Sequence, residues 1–224
     1  MPLTISDDIL DSKTVWNFRE QIVDLDLVDL IFSLFIKELE RLNLIVNEGK
    51  IVDTSFIEVP KQHNKKEENQ QIKNGETPNS FNENPHKKAQ KDVDAQWTKK
   101  NNETFFGYKN HIKIDSKTKI IRKFKVTDAS VHDSQVLDNS LDEKNNEMKS
   151  MVYEKGVRAN PSTEAQKRSN IEKSRARVDI FGFMEMSMNS MYLYCIVFKR
   201  TNAIIGLMNL TYNMFRKIQL QNAQ

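Results

Sequence analysis

Apolar side chains recur along this chain with two periods, and they divide it into helices and strands. Asp11-Ser12-Lys13-Thr14 stands before Val15, Trp16, Phe18 and Ile22, so a capping side chain can accept from the free N–H groups of a first helix. Val28, Ile31, Phe32, Phe35, Leu39 and Leu42 then return at intervals of three and four, the apolar stripe of a second helix that should stop by Asn47 to Gly49. Residues 50–59, KIVDTSFIEV, are rich in β-branched and aromatic side chains and end at Pro60, which predicts a core strand.

Residues 61–95 are dominated by Lys, Asn, Gln and Glu with few aliphatic side chains. Too little apolar area is on offer there to offset the entropy of ordering, so the reading is a flexible insertion. Thr104 to Asp115 and Ile120 to Val126 return to strand character, with Asp115-Ser116-Lys117-Thr118 between them as a turn, and together they predict a β-hairpin. Val131 to Leu137 reads as a helix start with Asp133 or Ser134 near its N-terminus. After the polar run 142–149, Met151-Val152-Tyr153 fits a short strand, and most of the chain from Ser162 onward fits helix. Phe181, Met184, Met188, Tyr192, Leu193, Ile196, Ile204, Leu207, Met208, Leu210, Tyr212 and their neighbours read as packing surface rather than a cofactor site.

Composition changes this picture in three ways. At 224 residues and 38% hydrophobic, the chain has room for one medium domain and an appendage. Its single cysteine, Cys195, has no partner for an internal disulfide, and no apolar stretch approaches the roughly 20 residues of a membrane span. The expectation is a cytoplasmic protein. Net charge is only +3, but residues 1–60 hold 5 Lys/Arg against 12 Asp/Glu while residues 151–224 hold 11 against 5. A basic half favours a polyanion through counterion release, and it equally describes a solvated basic face.

Five strings carry a more specific signal: GKIVDTSFIEVP, NPHKKAQKDVDAQWTKKNNETFFGYKNHIKID, KVTDASVHDSQ, MVYEKGVRANPSTEAQKRSN and KSRARVDIFGFME, in that order. Together they resemble the insertion-sequence-five group of bacterial DDE transposases. The resemblance implies an α/β fold, a ribonuclease H-like mixed sheet with flanking helices, incomplete here, plus a short N-terminal helical segment. It divides the chain into residues 1–48, a remnant of the transposase N-terminal region, and residues 49–224, the ribonuclease H-like domain with its insertion at 61–95. Relatives carry further helices before the segment like Asp11 to Phe35, so the chain reads as shortened.

The resemblance further implies metal-dependent DNA strand cleavage and transfer in a bacterial, DNA-associated protein, with Mg²⁺ or Mn²⁺ held by clustered carboxylates. DNA, both element ends and target, is the implied partner; no membrane is, and a homodimer stays open. Asp53 falls at the position of the family's first catalytic and metal-binding aspartate. Asp179 takes the place of the family's glutamate in a run one residue shorter than usual. A one-residue loss turns the helix downstream by about 100°. Between Leu141 and Met151 the family's second acid, at the end of a strand, has no counterpart, and Asp138, Asp142 and Glu143 follow no apolar strand.

Arg175 stands four before Asp179 and shares a helix face with it. Arg175, Arg177, Lys99, Lys100 and Lys109 are the candidate DNA contacts, with an ordinary ion pair or a solvated face as the competing reading of each. His132-Asp133 suits either capping or phosphate, and His111 shares the Lys109 face of its strand. His63 and His86 have no partner at zinc-ligand spacing. The implied function is an insertion-element transposase defective for want of its second acid; the alternative is a non-catalytic DNA-binding or dimerising remnant.

Overall fold

The structure is a computed structural model that describes residues 11–46, 50–59, 62–100, 102–139, 180–188 and 192–222. Helix α1 (Ser12–Asp24) begins where the cap is expected: Thr14 N donates to Asp11 Oδ1 at 2.6 Å. Asp26, in the left-handed conformation, turns the chain into α2 (Leu27–Arg41). Strand β1 (Lys50–Glu58) follows.

Helices α3 (Lys66–Lys73), α4 (Asn79–Glu83) and α5 (Pro85–Ala89) occupy the stretch whose composition predicts a flexible insertion. Polar pairing across the segment supplies the order that apolar area does not. Glu68, 6% exposed, receives Lys87 and Lys91 at 2.8 Å each and Ser80 Oγ at 2.8 Å. Asn64 donates to Asp92 O and Asn69 to Ala95 O, pinning the layer to the start of β2 (Gln96–Lys100). The Trp97–Lys100 stretch, which carries the candidate DNA contacts Lys99 and Lys100, is thus itself a strand.

Strand β3 (Glu103–Asp115) is the centre of the sheet. Its first part pairs antiparallel with β2; from Gly107 to Asp115 it pairs antiparallel with β1, and from Tyr108 to Ile114 with β4 (Ile121–Asp128). The β3–β4 turn is tied by Asp115 Oδ1, which accepts from Lys117 N, Thr118 N and Thr118 Oγ1, the turn chemistry the sequence supplies. Helix α6 (Asp133–Asn139) follows β4. Residues 180–187 form helix α7, and α8 (Phe198–Asn222) closes the described chain. The helical reading from Ser162 onward is interrupted: residues 192–197 are extended or bent, and Tyr192 makes a parallel bridge to Glu58.

Parity along β1 and β3 sorts the sheet into two faces. One face carries Ile51, Ile57, Tyr108, Ile112, Ile114 and Val126, all buried, against Phe32 of α2, Ile180 and Met184 of α7 and Ile205 and Leu210 of α8. Each such side chain taken out of water contributes about 1.5–3 kcal/mol. Polar residues fix the register of α8 on this face. Asn110 and Asn209 exchange side-chain hydrogen bonds at 2.9 and 3.2 Å, and Asn213 bonds both N and O of Ile121. An antiparallel sheet with helices laid across it, touched by one parallel bridge, is the ribonuclease H-like α/β arrangement the sequence implies. Among the described residues no helix is long and apolar enough to cross a membrane.

Candidate active site on strand β1

Asp53 stands fourth in β1, opposite Ile112 of β3. It shares the parity of Ile51 and Ile57, so it faces the helix-covered side of the sheet, where it is half-buried with Oδ2 withdrawn from solvent. That is not a strand-end aspartate facing water. A carboxylate costs free energy in such a place unless it is engaged.

The opposite parity of the sheet is polar. Thr54 Oγ1 lies 2.9 Å from His111 Nδ1, and His111 Nε2 lies 2.9 Å from Thr127 Oγ1, a hydrogen-bonded row across β1, β3 and β4. His111 is 1% exposed. Burial pushes its pKa down to about 4, with Lys109 and Lys125 adding to the effect and Asp133 opposing it. The ring is therefore neutral near pH 7, and it holds the residue next to Asp53 in place.

A pH dependence follows from the sign of that shift. The folded chain resists a proton that the unfolded chain accepts, so His111's contribution is complete above about pH 6.5 and is lost as pH falls towards about 4, at a total of about 3 kcal/mol. Denaturant unfolding followed across that range should show the loss, and His111→Gln should flatten it. An equally steep profile in the variant would assign the effect to other groups.

Lys109 is turned inward: its ammonium, 7% exposed as a residue, donates to Val131 O at 2.7 Å and to Asp133 Oδ1 at 2.9 Å. It also lies 5.3 Å from the centre of the Phe56 ring, as does Lys100. Phe56 in turn stacks on Phe105, ring centres 4.4 Å apart. Lys99 and Lys100 are exposed at the end of β2. His132 takes the capping role, with Nδ1 2.8 Å from Ser134 Oγ and accepting from Ser134 N. His63 packs its ring against Trp97 and Phe106.

Asp179, Arg175 and Arg177 lie outside the described residues, as do residues 140–150, where the second acid is sought, and the short strand read at 151–153. Among the described residues no group of three His, Cys, Asp or Glu side chains is placed to hold a metal ion. Asp53 supplies one hard oxygen donor of the kind a divalent ion takes, and the described residues do not complete a set around it.

The model of the transposase DDE domain matches residues 46–159. The chain belongs to the DDE transposases. The matched residues take in all of β1 with Asp53, the insertion, the β2–β3–β4 sheet and α6, and they end before Arg175, Arg177 and Asp179. Membership implies DNA as partner and a divalent metal as the family's usual cofactor. No solved structure matches the chain.

Local pattern places Trp16 in a helix and Tyr192 in packing surface, but it does not bring residues of three separated segments together. Trp16 and Arg19 of α1, Tyr192 and Tyr194 before α8, and Arg200 of α8 line one cavity of about 510 Å³. No local period links them; only the fold brings them together.

Proposed function

We propose that this DDE transposase belongs to the insertion-sequence-five group, binds the ends of its element, and is defective in strand cleavage and transfer. The observation that carries the reading is the place of Asp53, inside the matched residues, mid-strand and on the side of the sheet facing the helices. A transposase of this kind uses such a carboxylate as one corner of a metal-holding cluster. Asp179 is the proposed third corner, shorter by one methylene than the glutamate it replaces.

Residues 142–150, DEKNNEMKS, offer no apolar strand ending in an aspartate, so the middle corner is taken to be missing. One or two carboxylates hold a divalent ion weakly and leave the developing charge of phosphoryl transfer without its clamp. Lys99 and Lys100, exposed at the end of β2, are the proposed phosphate contacts, joined by Arg175 and Arg177. Such contacts position the protein on the duplex and carry no base sequence themselves.

The test pairs cleavage with binding. With element-end DNA and Mg²⁺ or Mn²⁺, strand cleavage and joining are expected to match the background of Asp53→Ala. A gel shift at low salt should persist in both proteins. Lys99→Ala and Lys100→Ala should each weaken that shift and lower the salt slope by about 1. Efficient cleavage abolished by Asp53→Ala would end the defective reading, and absence of any shift would end the DNA-binding one.

A further inference from the structure

We infer that the cavity between α1, α8 and the 192–196 segment is a docking groove for unpaired DNA bases. The inference rests on the DNA-binding reading above and gives that reading a second site, remote in sequence from Asp53. The volume, about 510 Å³, lies within the about 300–1,000 Å³ range of small-ligand pockets. Its floor is apolar: Leu193, Ile204 and Met208.

Its mouth is aromatic and cationic. Trp16 is 48% exposed and Tyr194 77% exposed, while Tyr192 meets Tyr194 edge to face with ring centres 5.0 Å apart. Two large exposed rings at one opening, with half-buried Tyr192 beside them, form a set of flat faces. Arg200 Nε donates to Glu20 Oε2 at 2.8 Å, and Arg19 Nη2 lies 3.8 Å from Glu20 Oε1. Two guanidinium groups thus share one carboxylate, which leaves a net positive charge at the rim. Both arginine side chains stay well exposed, at 39% and 46%.

Charge and shape together select the occupant. An intact duplex presents phosphates on its outside and keeps its base faces stacked within, so it satisfies the arginines and leaves the aromatic rings idle. An unpaired strand offers both, a phosphate backbone for Arg19 and Arg200 and a base face for Trp16 or Tyr194. Stacking of this kind tolerates any base.

The experiment compares a blunt duplex with the same duplex carrying a single-stranded tail of about six thymidines, using the full chain and fluorescence anisotropy. The tailed DNA is expected to bind at least about fivefold more tightly, and the tail alone should quench Trp16 fluorescence saturably. Trp16→Leu should abolish that quench. Tyr194→Ser, at a side chain almost wholly in water, should remove the tail's advantage with blunt-duplex affinity unchanged. Equal affinity for tailed and blunt DNA overturns the groove while leaving the DNA-binding reading intact. Failure to bind either overturns both. Quenching of Trp16 that grows with protein concentration in the absence of DNA overturns the inference in favour of a second copy as the occupant.

Discussion

Gly107→Ala is expected to prevent folding or to lower stability by at least about 4 kcal/mol, among the largest effects of single substitutions. Gly107 sits in the middle of β3, opposite both Glu58 of β1 and Gln96 of β2. Its φ of +154° is a conformation L side chains rarely adopt, and an added Cβ would lie 2.2 Å from Ile57 O and 3.2 Å from Ile57 C. Those atoms are backbone held in the β1–β3 ladder, so they cannot step aside as the end of a flexible side chain would. Relief requires β1 to separate from β3, and β1 carries Asp53. Loss of the cooperative thermal transition, or a fall of tens of degrees in Tm, would bear this out, whereas a Tm within a few degrees of the parent would show the sheet to be looser than its register implies.

Two other glycines make the contrast useful. At Gly75, φ +80°, an added Cβ meets nothing within 4 Å, so only the left-handed conformation is at stake, at about 1–2 kcal/mol. At Gly206 of α8 the Cβ would approach Val28 Cγ1 at 2.5 Å and Phe124 Cζ at 2.9 Å. Those are side-chain atoms where α8 crosses α2 and β4, and the strain of moving them is about 1–3 kcal/mol. A ranking of Gly107 above Gly206 above Gly75 therefore reports where backbone, side chain and empty space lie.

How much of this is legible in the sequence depends on the range of the interaction that does the ordering. Asp11 as a cap, the β-branched run around Asp53 and the Asp115 turn act within a few residues, and the structure has them where the pattern predicts: α1 from Ser12, β1 over Lys50–Glu58, and a turn closed by Asp115 Oδ1. Local patterning also misleads. Residues 192–197 carry enough apolar side chains to pass for helix, yet the bridge from Tyr192 to Glu58 and the bond from Leu193 N to Glu58 O draw them to the sheet edge instead. His111 looks from its alternation like one side of a hairpin open to water or DNA; it is buried because two threonines on neighbouring strands take both ring nitrogens. What Asp53 does was not legible from its strand at all, since a strand explains only its position, and its role rests on the likeness to a family whose chemistry needs an acid there.

The insertion shows the same limit most clearly: Glu68→Ala should release the α3–α5 layer, at a cost of about 3–5 kcal/mol, while leaving the β1–β3–β4 sheet folded. Composition points to a flexible segment here because the ordering contacts are polar and span long stretches of chain. Lys87 and Lys91 lie 19 and 23 residues beyond Glu68 and meet it at 2.8 Å, where Lys91 is itself only 8% exposed. Removing the carboxylate leaves a buried ammonium with His63 O as its remaining acceptor, which is the costly way to break such a pair. Burial alone would raise the pKa of Glu68, but the hydrogen bonds from Lys87, Lys91, Lys65 N and Ser80 outweigh it and hold the carboxyl well below the usual range. A depressed folded pKa gives stability that is complete above the unfolded value near 4.5 and is lost as pH falls. Amide hydrogen exchange should therefore quicken across residues 66–89 in Glu68→Ala at neutral pH, and in the parent protein only under acid. If exchange quickens equally across β3, the layer and the sheet unfold as one unit, and the insertion is part of the domain's core rather than an addition to its edge.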